Sequence, residues 1–258
     1  MHPSRFVFAA ILLAPAPTFA DSFAEDLRLI AGLQVGYTTF EFKSKLDQTL
    51  TFPTTNVTLA ATLNRWQLSL NGGFTLIDAD VSEEEDTGDA SRDDLDLTLA
   101  YQINDRWSVF AGYKDGSTDI DFKAREPNAL GIIARQSEAY EQRGPYLGAS
   151  YTVRFERAGA LSFSAAYADL RARNRFLPNT DEPEDGEPLE FDDLAGRVTG
   201  DTTGLSYALT WTIPLAGSML FQTRLRLNDY QQDIRFGGQS FDVDETLTSL
   251  HVGLAYVF

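Results

Sequence analysis

The stretch Leu250-His-Val252-Gly-Leu254-Ala-Tyr256-Val-Phe258 alternates large apolar residues with small or polar ones. Successive side chains of a β-strand point to opposite faces, so a period of two indicates a strand with one apolar face. His251, Gly253 and Ala255 share the other face. The stretch therefore predicts a strand that separates an apolar environment from a crowded or polar one.

The same alternation recurs from Ala31 onward, in segments of about ten residues. The segments that carry it are 33–37, 57–63, 66–76, 95–101, 107–113, 146–155, 161–167, 205–211, 221–227 and 250–258. They predict about ten strands, an even number of the kind found in bacterial single-chain barrels.

The residues that alternate with the apolar set are mostly Gly, Ala, Ser, Thr, Asn and Gln, and are nearly free of charge until the strand ends. Such side chains are too small to cover an exterior but suit a narrow lumen. The apolar set, rich in Leu, Val, Tyr and Trp, suits lipid. The pattern predicts an all-β fold, a closed antiparallel up-and-down transmembrane β-barrel.

The connections between the predicted strands alternate in length. Tight turns are expected at 64–65, 104–106, 156–159 and 214–217, and long polar links at 42–55, 78–94, 117–143, 171–202 and 230–245. Short periplasmic turns and long extracellular loops are typical of outer-membrane barrels. Four aromatic residues adjoin the tight turns, namely Trp66, Trp107, Phe155 and Trp211. They predict an aromatic girdle at the periplasmic interface.

The terminal stretch resembles the C-terminal signature of bacterial outer-membrane β-barrel proteins, which ends in an aromatic residue. The resemblance implies that Tyr256 and Phe258 form the assembly signal read by the barrel-assembly machinery, and it selects no subfamily. Ten-stranded members of this class include omptin proteases and an opacity-type adhesin, and related small barrels include lipid A-modifying enzymes.

The N-terminus and the composition predict where the chain resides. Residues 1–20 combine Arg5, a short apolar run and Ala20, which indicates a signal peptide followed by a barrel domain at 21–258. We expect the outer membrane of a Gram-negative bacterium. A net charge of −17 argues against nucleic-acid binding. The absence of Cys excludes disulfides, thiolate metal sites and a lipoprotein anchor, and neither a metal nor a cofactor is expected.

Strand parity directs several charged residues into the lumen. They are Asp96, Lys114, Arg224 and Arg226, together with His251. In a ten-stranded barrel the ninth strand faces the fourth, so Arg224 or Arg226 can reach Asp96. One interpretation is a polar plug, because buried charges must be paired or hydrated. The other is a narrow pore with a preference for anions.

His251 is the only imidazole outside the expected signal peptide. Omptin-like proteolysis needs an Asp–His pair at the extracellular rim, and lipid-acting barrels place a His beside a Ser. We expect His251 near mid-membrane and inside the lumen, where it reaches neither the rim nor the lipid face. A structural histidine is therefore expected, and no catalytic site.

Two acidic clusters fall in the expected loops. One runs from Glu83 to Asp86 and on to Asp89, Asp93 and Asp94, and the other covers 181–193. Charge runs are usually solvated, and neither has the spacing of an EF-hand, so binding of Ca²⁺ or Mg²⁺ is the weaker interpretation.

The sequence thus predicts a non-enzymatic surface barrel, adhesin-like or envelope-stabilising, that acts through its extracellular loops. The expected partners are outer-membrane lipid, lipopolysaccharide and a ligand outside the cell. The first alternative is a narrow pore for small solutes, and the second is an enzyme that acts on lipids or peptides.

Overall fold

In the computed structural model, the described part of the chain comprises residues 27–42, 48–82, 86–126, 133, 135–156, 158–176, 196–236 and 238–258. Its regular secondary structure is β-strand, and none of these ranges contains a helix long and apolar enough to cross a membrane. The expected signal peptide and the acidic segments 83–85 and 181–193 lie outside the described residues.

The strands form one antiparallel sheet that closes on itself. They are β1 (Leu27–Phe42), β2 (Gln48–Leu63), β3 (Trp66–Thr75), β4 (Ala79–Ser82), β5 (Asp86–Gln102), β6 (Trp107–Ala124), β7 (Arg135–Phe155), β8 (Gly159–Phe176), β9 (Gly196–Pro214), β10 (Met219–Phe236) and β11 (Gln239–Val257). β1 pairs with both β2 and β11, and β3 pairs with both β2 and β5, which completes the ring.

β3 and β4 are two parts of a single wall strand, since both pair with β5. Phe74 lies opposite Asp93, whereas Ala79 lies opposite Ala90. The register therefore shifts by two residues at 76–78, which is a bulge in the wall. The barrel has ten wall strands, and the predicted fold class is confirmed.

The apolar residues of the alternating segments point outward. Leu33 is 57% exposed and Leu99 is 47% exposed, although both are large and apolar. On β1 this outward apolar run extends from Leu27 to Tyr37, which corresponds to roughly 25 Å of height at a strand tilt of ~40°. We call this band of the wall the lipid belt, because its height matches the apolar band of outer-membrane barrels.

Among the described residues, much of the predicted long links is strand, so the wall strands run further than the sequence predicts. In the 230–245 link, β10 runs to Phe236 and β11 begins at Gln239. Gly238, with φ at 84°, lies in the tight turn between them. Asp89, Asp93 and Asp94 likewise lie on β5 and not in a loop. The barrel therefore continues for roughly 25 Å beyond the lipid belt at the end opposite the tight turns, and we call this part the extension.

The strands continue because the alternation continues with its phase inverted. In β11, Phe241 and Val243 are buried inside the barrel, whereas Asp242 is exposed on its outer face. β6 shows the same arrangement, with Ile120 inward and Asp119 outward. Above the belt the wall meets water instead of lipid, so the charged residues belong outside and the apolar ones inside.

Candidate functional site: the barrel lumen

The lumen of the extension is filled by an apolar cluster, which we call the upper core. Phe52 and Ile120 are 0% exposed, and Phe40 packs with them. The members are Phe40, Leu50, Phe52, Val81, Ala90, Ile120, Phe122, Tyr140, Val198, Ile234, Phe241, Val243 and Leu247. Every strand except β3 and β8 contributes to this cluster. The upper core therefore spans the lumen from wall to wall.

Below the upper core, an ion pair crosses the lumen between β5 and β10. Arg226 Nη1 donates to Asp96 Oδ2 at 2.8 Å, and Arg226 Nε donates to Asn228 Oδ1 at 3.1 Å. β5 and β10 are the fourth and ninth wall strands, so the pair links opposite sides of the barrel. The sequence left Arg224 and Arg226 as alternative partners of Asp96, and in the structure Arg226 forms the ion pair.

A second charged group lies closer to the upper core. Arg92 Nε and Nη2 donate to the two oxygens of Asp94 at 2.9 and 3.0 Å, and Arg92 Nη1 donates to Thr118 Oγ1 at 2.7 Å. Lys114, which is 1% exposed, has its Nζ 3.8 Å from Asp94 Oδ1 and 5.5 Å from the Tyr230 ring centroid. The sequence analysis missed Arg92 and Asp94 because they fall in a predicted link. The signal available was the parity that they share with Asp96.

Glu245 adds a further carboxylate from β11. We call the charged residues beneath the upper core the charged layer; they are Arg92, Asp94, Asp96, Lys114, Arg224, Arg226 and Glu245. The carboxylate of Glu245 is buried and accepts hydrogen bonds from Gln232 Nε2 at 2.6 Å and from Gln142 Nε2. Sequence reasoning also missed Glu245, which lies at the end of the predicted 230–245 link. Its parity with His251 was the signal that places it in the lumen.

His251 lies beside two threonines on neighbouring strands. His251 Nε2 is 2.8 Å from Thr54 Oγ1, which is 3.1 Å from Thr38 Oγ1. The imidazole is buried. Within the described part of the chain, no carboxylate hydrogen-bonds to this ring. The contacts tie β11, β1 and β2 together inside the lumen.

The lumen within the lipid belt contains a polar space of about 350 Å³, which we call the lower cavity. Its walls include the small residues Ala60, Ser69, Thr98, Ser108, Ser150, Ser162, Ser164, Ala166, Ser206 and Ala255. Four aromatic residues also line it, namely Phe110, Tyr146, Tyr207 and Tyr230. Arg224 and Asp96 lie where the cavity meets the charged layer. Because many of the wall residues are small, part of the lumen remains unfilled here.

The predicted girdle residues lie at the end of the barrel that carries the tight turns. Trp66 packs against Tyr101 with ring centroids 4.7 Å apart, and Trp107 packs against Tyr151 at 4.9 Å. Trp211 Nε1 donates to the carbonyl oxygen of Ala158 at 2.8 Å. Phe155 is also exposed on the outer face.

The two residues of the expected assembly signal close the barrel seam. The rings of Tyr256 and Phe258 meet edge to face at 4.8 Å, and both are exposed on the outside. Phe258 N donates to the carbonyl oxygen of Leu29 at 2.9 Å, which ties the end of the chain to β1.

The family model described as "Putative MetA-pathway of phenol degradation" matches residues 4–181. Comparison with curated protein sequences gives no match.

Several solved barrels resemble the chain. The outer-membrane protease OmpT of Escherichia coli is 12% identical, with a TM-score of 0.50 over 93% of this chain and 99% of that one. The β domain of the Bordetella autotransporter BrkA is 15% identical, with a TM-score of 0.49 over 89% and 99%. The translocator domain of the Neisseria meningitidis autotransporter NalP is 14% identical, with a TM-score of 0.48 over 92% and 90%. At these identities the likeness, carried by the OmpT match, concerns the fold, which is that of a bacterial outer-membrane β-barrel.

Proposed function

The chain belongs to the MetA-pathway phenol-degradation family, and we propose that it is a non-catalytic outer-membrane barrel with a closed lumen that acts at the cell surface. In this proposal the extension is a rigid stalk. It holds the extracellular connections and its own charged outer wall above the membrane, where they contact lipopolysaccharide or a ligand outside the cell.

The observation that carries the proposal is the upper core. Its members come from nine of the ten wall strands and are buried against one another, which supports a lumen that is filled at this level. Small barrels have interiors just wide enough for side chains to fill them. A barrel packed in this way is suited to presenting a surface and not to passing solutes.

The position of His251 supports a non-catalytic role. The buried imidazole shares a hydrogen bond with Thr54, and that hydroxyl contacts a second threonine instead of an acid. Acyl transfer and proteolysis by His require either a nucleophile that substrate reaches or an activated water. This environment offers neither at the extracellular rim.

The outer wall of the extension carries two faces of opposite charge. Outward positions of β5 and β6 form an acidic face with Asp89, Asp93, Asp115, Asp119 and Asp121. Outward positions of β7, β8 and β9 form an arginine face with Arg143, Arg171, Arg173, Arg175 and Arg197. Three acids, Glu141, Asp169 and Asp201, lie among these five arginines, and Glu141 pairs with Arg143 at 3.0 Å, so the face keeps an excess of positive charge. Arg143 and Arg171 are direct neighbours across two strands, four residues above the outward Leu147 and Tyr167 of the lipid belt. Guanidinium groups at this height suit the phosphates of lipopolysaccharide.

Single-channel recording tests the closed lumen. The folded barrel in a planar bilayer is expected to give no conductance steps. The triple variant Phe40→Ser, Phe52→Ser, Ile120→Ser is expected to conduct if it folds, because it removes three large side chains from the upper core. Steady conductance of the unaltered protein would contradict the proposal. A heat-modifiable band on gels shows that each sample is folded.

A matched pair of variants tests the contact with lipopolysaccharide. Replacing Arg143, Arg171 and Arg173 by Gln is expected to reduce the lipopolysaccharide retained by the purified barrel. Replacing Asp115, Asp119 and Asp121 by Asn changes as many charges on the other face and is expected to leave retention unchanged or higher. Equal retention by both variants would contradict a role for the arginine face.

The lower cavity favours one alternative function, a narrow pathway for small solutes. In that case the upper core must open to admit them. Uptake of phenol into vesicles that carry the barrel, at a rate above that of empty vesicles, would favour this alternative over the closed barrel.

A further inference from the structure

Arg224 differs from the other cations of the charged layer in that it forms no ion pair among the described residues, whereas Lys114 Nζ, which also makes no hydrogen bond there, has Asp94 within ion-pair distance. Arg92 and Arg226 each hold a carboxylate, and Lys114 lies beside Asp94. Arg224 Nε, in contrast, is buried and donates to no acceptor, and none of the ion pairs among the described residues includes Arg224. A desolvated cation without a counter-charge is unfavourable. The lumen therefore offers an unsatisfied positive charge.

The unsatisfied charge faces an open space. Arg224 lines the lower cavity, whose volume of about 350 Å³ lies in the range of small-molecule sites. Asp96 Oδ1, on the same cavity, is also buried without a hydrogen-bond partner. Two unsatisfied polar atoms therefore converge on one unfilled volume. A ligand that accepts from Arg224 would satisfy the first of them.

The remaining walls indicate the body of that ligand. The rings of Phe110 and Tyr146 form an edge-to-face pair with centroids 6.2 Å apart. Ala60, Ala166 and Ala255 add apolar surface, and several serines lie between them. Aromatic rings prefer edge-to-face or offset contacts with a further ring. The space beside this pair suits a flat apolar group.

The periplasmic mouth of the barrel is positively charged, although the whole chain carries −17. The charged side chains described at this end are Arg28, Arg65, Arg106 and Arg154, against Asp105 and Glu156, and all six are exposed. Arg65, Arg106 and Arg154 line the mouth itself together with Asp105, its single acid among the described residues, so arginines outnumber acids there. A cationic entrance raises the local concentration of anions and speeds their association.

We infer that the lower cavity binds a small aromatic carboxylate that enters from the periplasmic side. Its carboxylate accepts hydrogen bonds from Arg224, whose planar fork of donors matches the two carboxylate oxygens. Its ring lies beside Phe110 and Tyr146. The upper core closes the far end, so the site is a pocket and not a passage.

Calorimetric titration of the folded barrel in detergent tests this inference, with benzoate as the probe and benzamide as its neutral counterpart. Benzoate is expected to bind roughly 10-fold or more tightly than benzamide, because only the anion makes charge-assisted hydrogen bonds with Arg224. Arg224→Gln is expected to weaken the binding of benzoate by a similar factor and to leave the binding of benzamide unchanged. Arg224→Lys keeps the positive charge but lacks the planar fork of donors. Its affinity for benzoate is expected to lie between those of the unaltered and Arg224→Gln barrels.

Arg235→Gln is the matched control, because Arg235 lies on the outer wall of the same strand with 72% of its side chain exposed. It is expected to bind benzoate like the unaltered protein. Benzoate binding that is absent, or that is equal in the Arg224→Gln and unaltered barrels, would overturn the site. Competition by inorganic phosphate as effective as that by benzoate would show recognition of charge alone and overturn the aromatic part of the inference. Heat-modifiable migration confirms folding of each variant.

Discussion

The two halves of the barrel wall use the same period of two in opposite phases. In the lipid belt, β11 exposes Leu250 and Leu254 and buries His251. In the extension, the same strand buries Phe241 and exposes Asp242. The backbone pairing is continuous between them, so the change concerns side chains alone. The medium outside the wall, lipid or water, decides which phase is stable.

The charged layer lies where the phase changes. Below it the lumen is polar and partly empty, and above it the lumen is apolar and full. The ion pairs Arg92–Asp94 and Arg226–Asp96 lie at this boundary. In each pair the arginine and the carboxylate neutralise one another. The stability of each half therefore needs its own test. Apolar packing inside the lumen stabilises the extension, whereas contact of the outer face with lipid stabilises the belt.

The largest effect is expected in the upper core. Phe52→Ala removes a fully buried ring and should lower the free energy of unfolding by ~3–5 kcal/mol. Thr51→Ala, at the adjacent exposed position, should change it by ~0.5 kcal/mol or less. Urea unfolding in lipid vesicles measures both. Similar effects at the two positions would contradict an apolar core inside the extension.

The lipid belt should show the opposite dependence on face. Leu99→Arg places a charge in lipid and should cost ~2–4 kcal/mol near the bilayer midplane. A change at the adjacent lumenal residue, Thr98→Ala, should cost less. Leu68→Arg and Ser69→Ala repeat the comparison on β3. Lumenal changes as damaging as the outward ones, by the same urea unfolding, would show that the two faces are assigned the wrong way.

The next effect concerns the ion pair at the boundary. Asp96→Ala leaves Arg226 unpaired, so the double variant with Arg226→Ala should be less unstable than the sum of the single variants, by ~1–3 kcal/mol. Arg224→Ala in the same Asp96→Ala background should give nearly additive effects. Additivity for both arginines would mean that the cross-barrel pair contributes no coupling.

The sequence predicts the ten wall strands and the lumenal face because both depend only on the period of two. The extension was not predicted, because exposed residues such as Asp119 and Asp242 are as typical of loops as of strands in water. Arg92, Asp94 and Glu245 were missed for the same reason. The sequence also does not determine whether Arg224 or Arg226 pairs with Asp96. The two share a face and stand only roughly 6.6 Å apart along the strand, so the three-dimensional packing selects the partner of Asp96.

The smallest effect on stability, and the most informative about the lower cavity, is expected at Arg224. Because this cation has no partner among the described residues, Arg224→Met should leave the free energy of unfolding unchanged or raise it by ~1 kcal/mol. Arg226→Met should lower it, since Asp96 then loses its counter-charge. Saturating benzoate should stabilise the unaltered barrel, because a ligand that binds only the folded state shifts the equilibrium toward it. It should not stabilise the Arg224→Met barrel. Clear destabilisation by Arg224→Met would mean that Arg224 supports the structure itself, and the contrast between a packed upper half and a ligand-ready lower half would then fail.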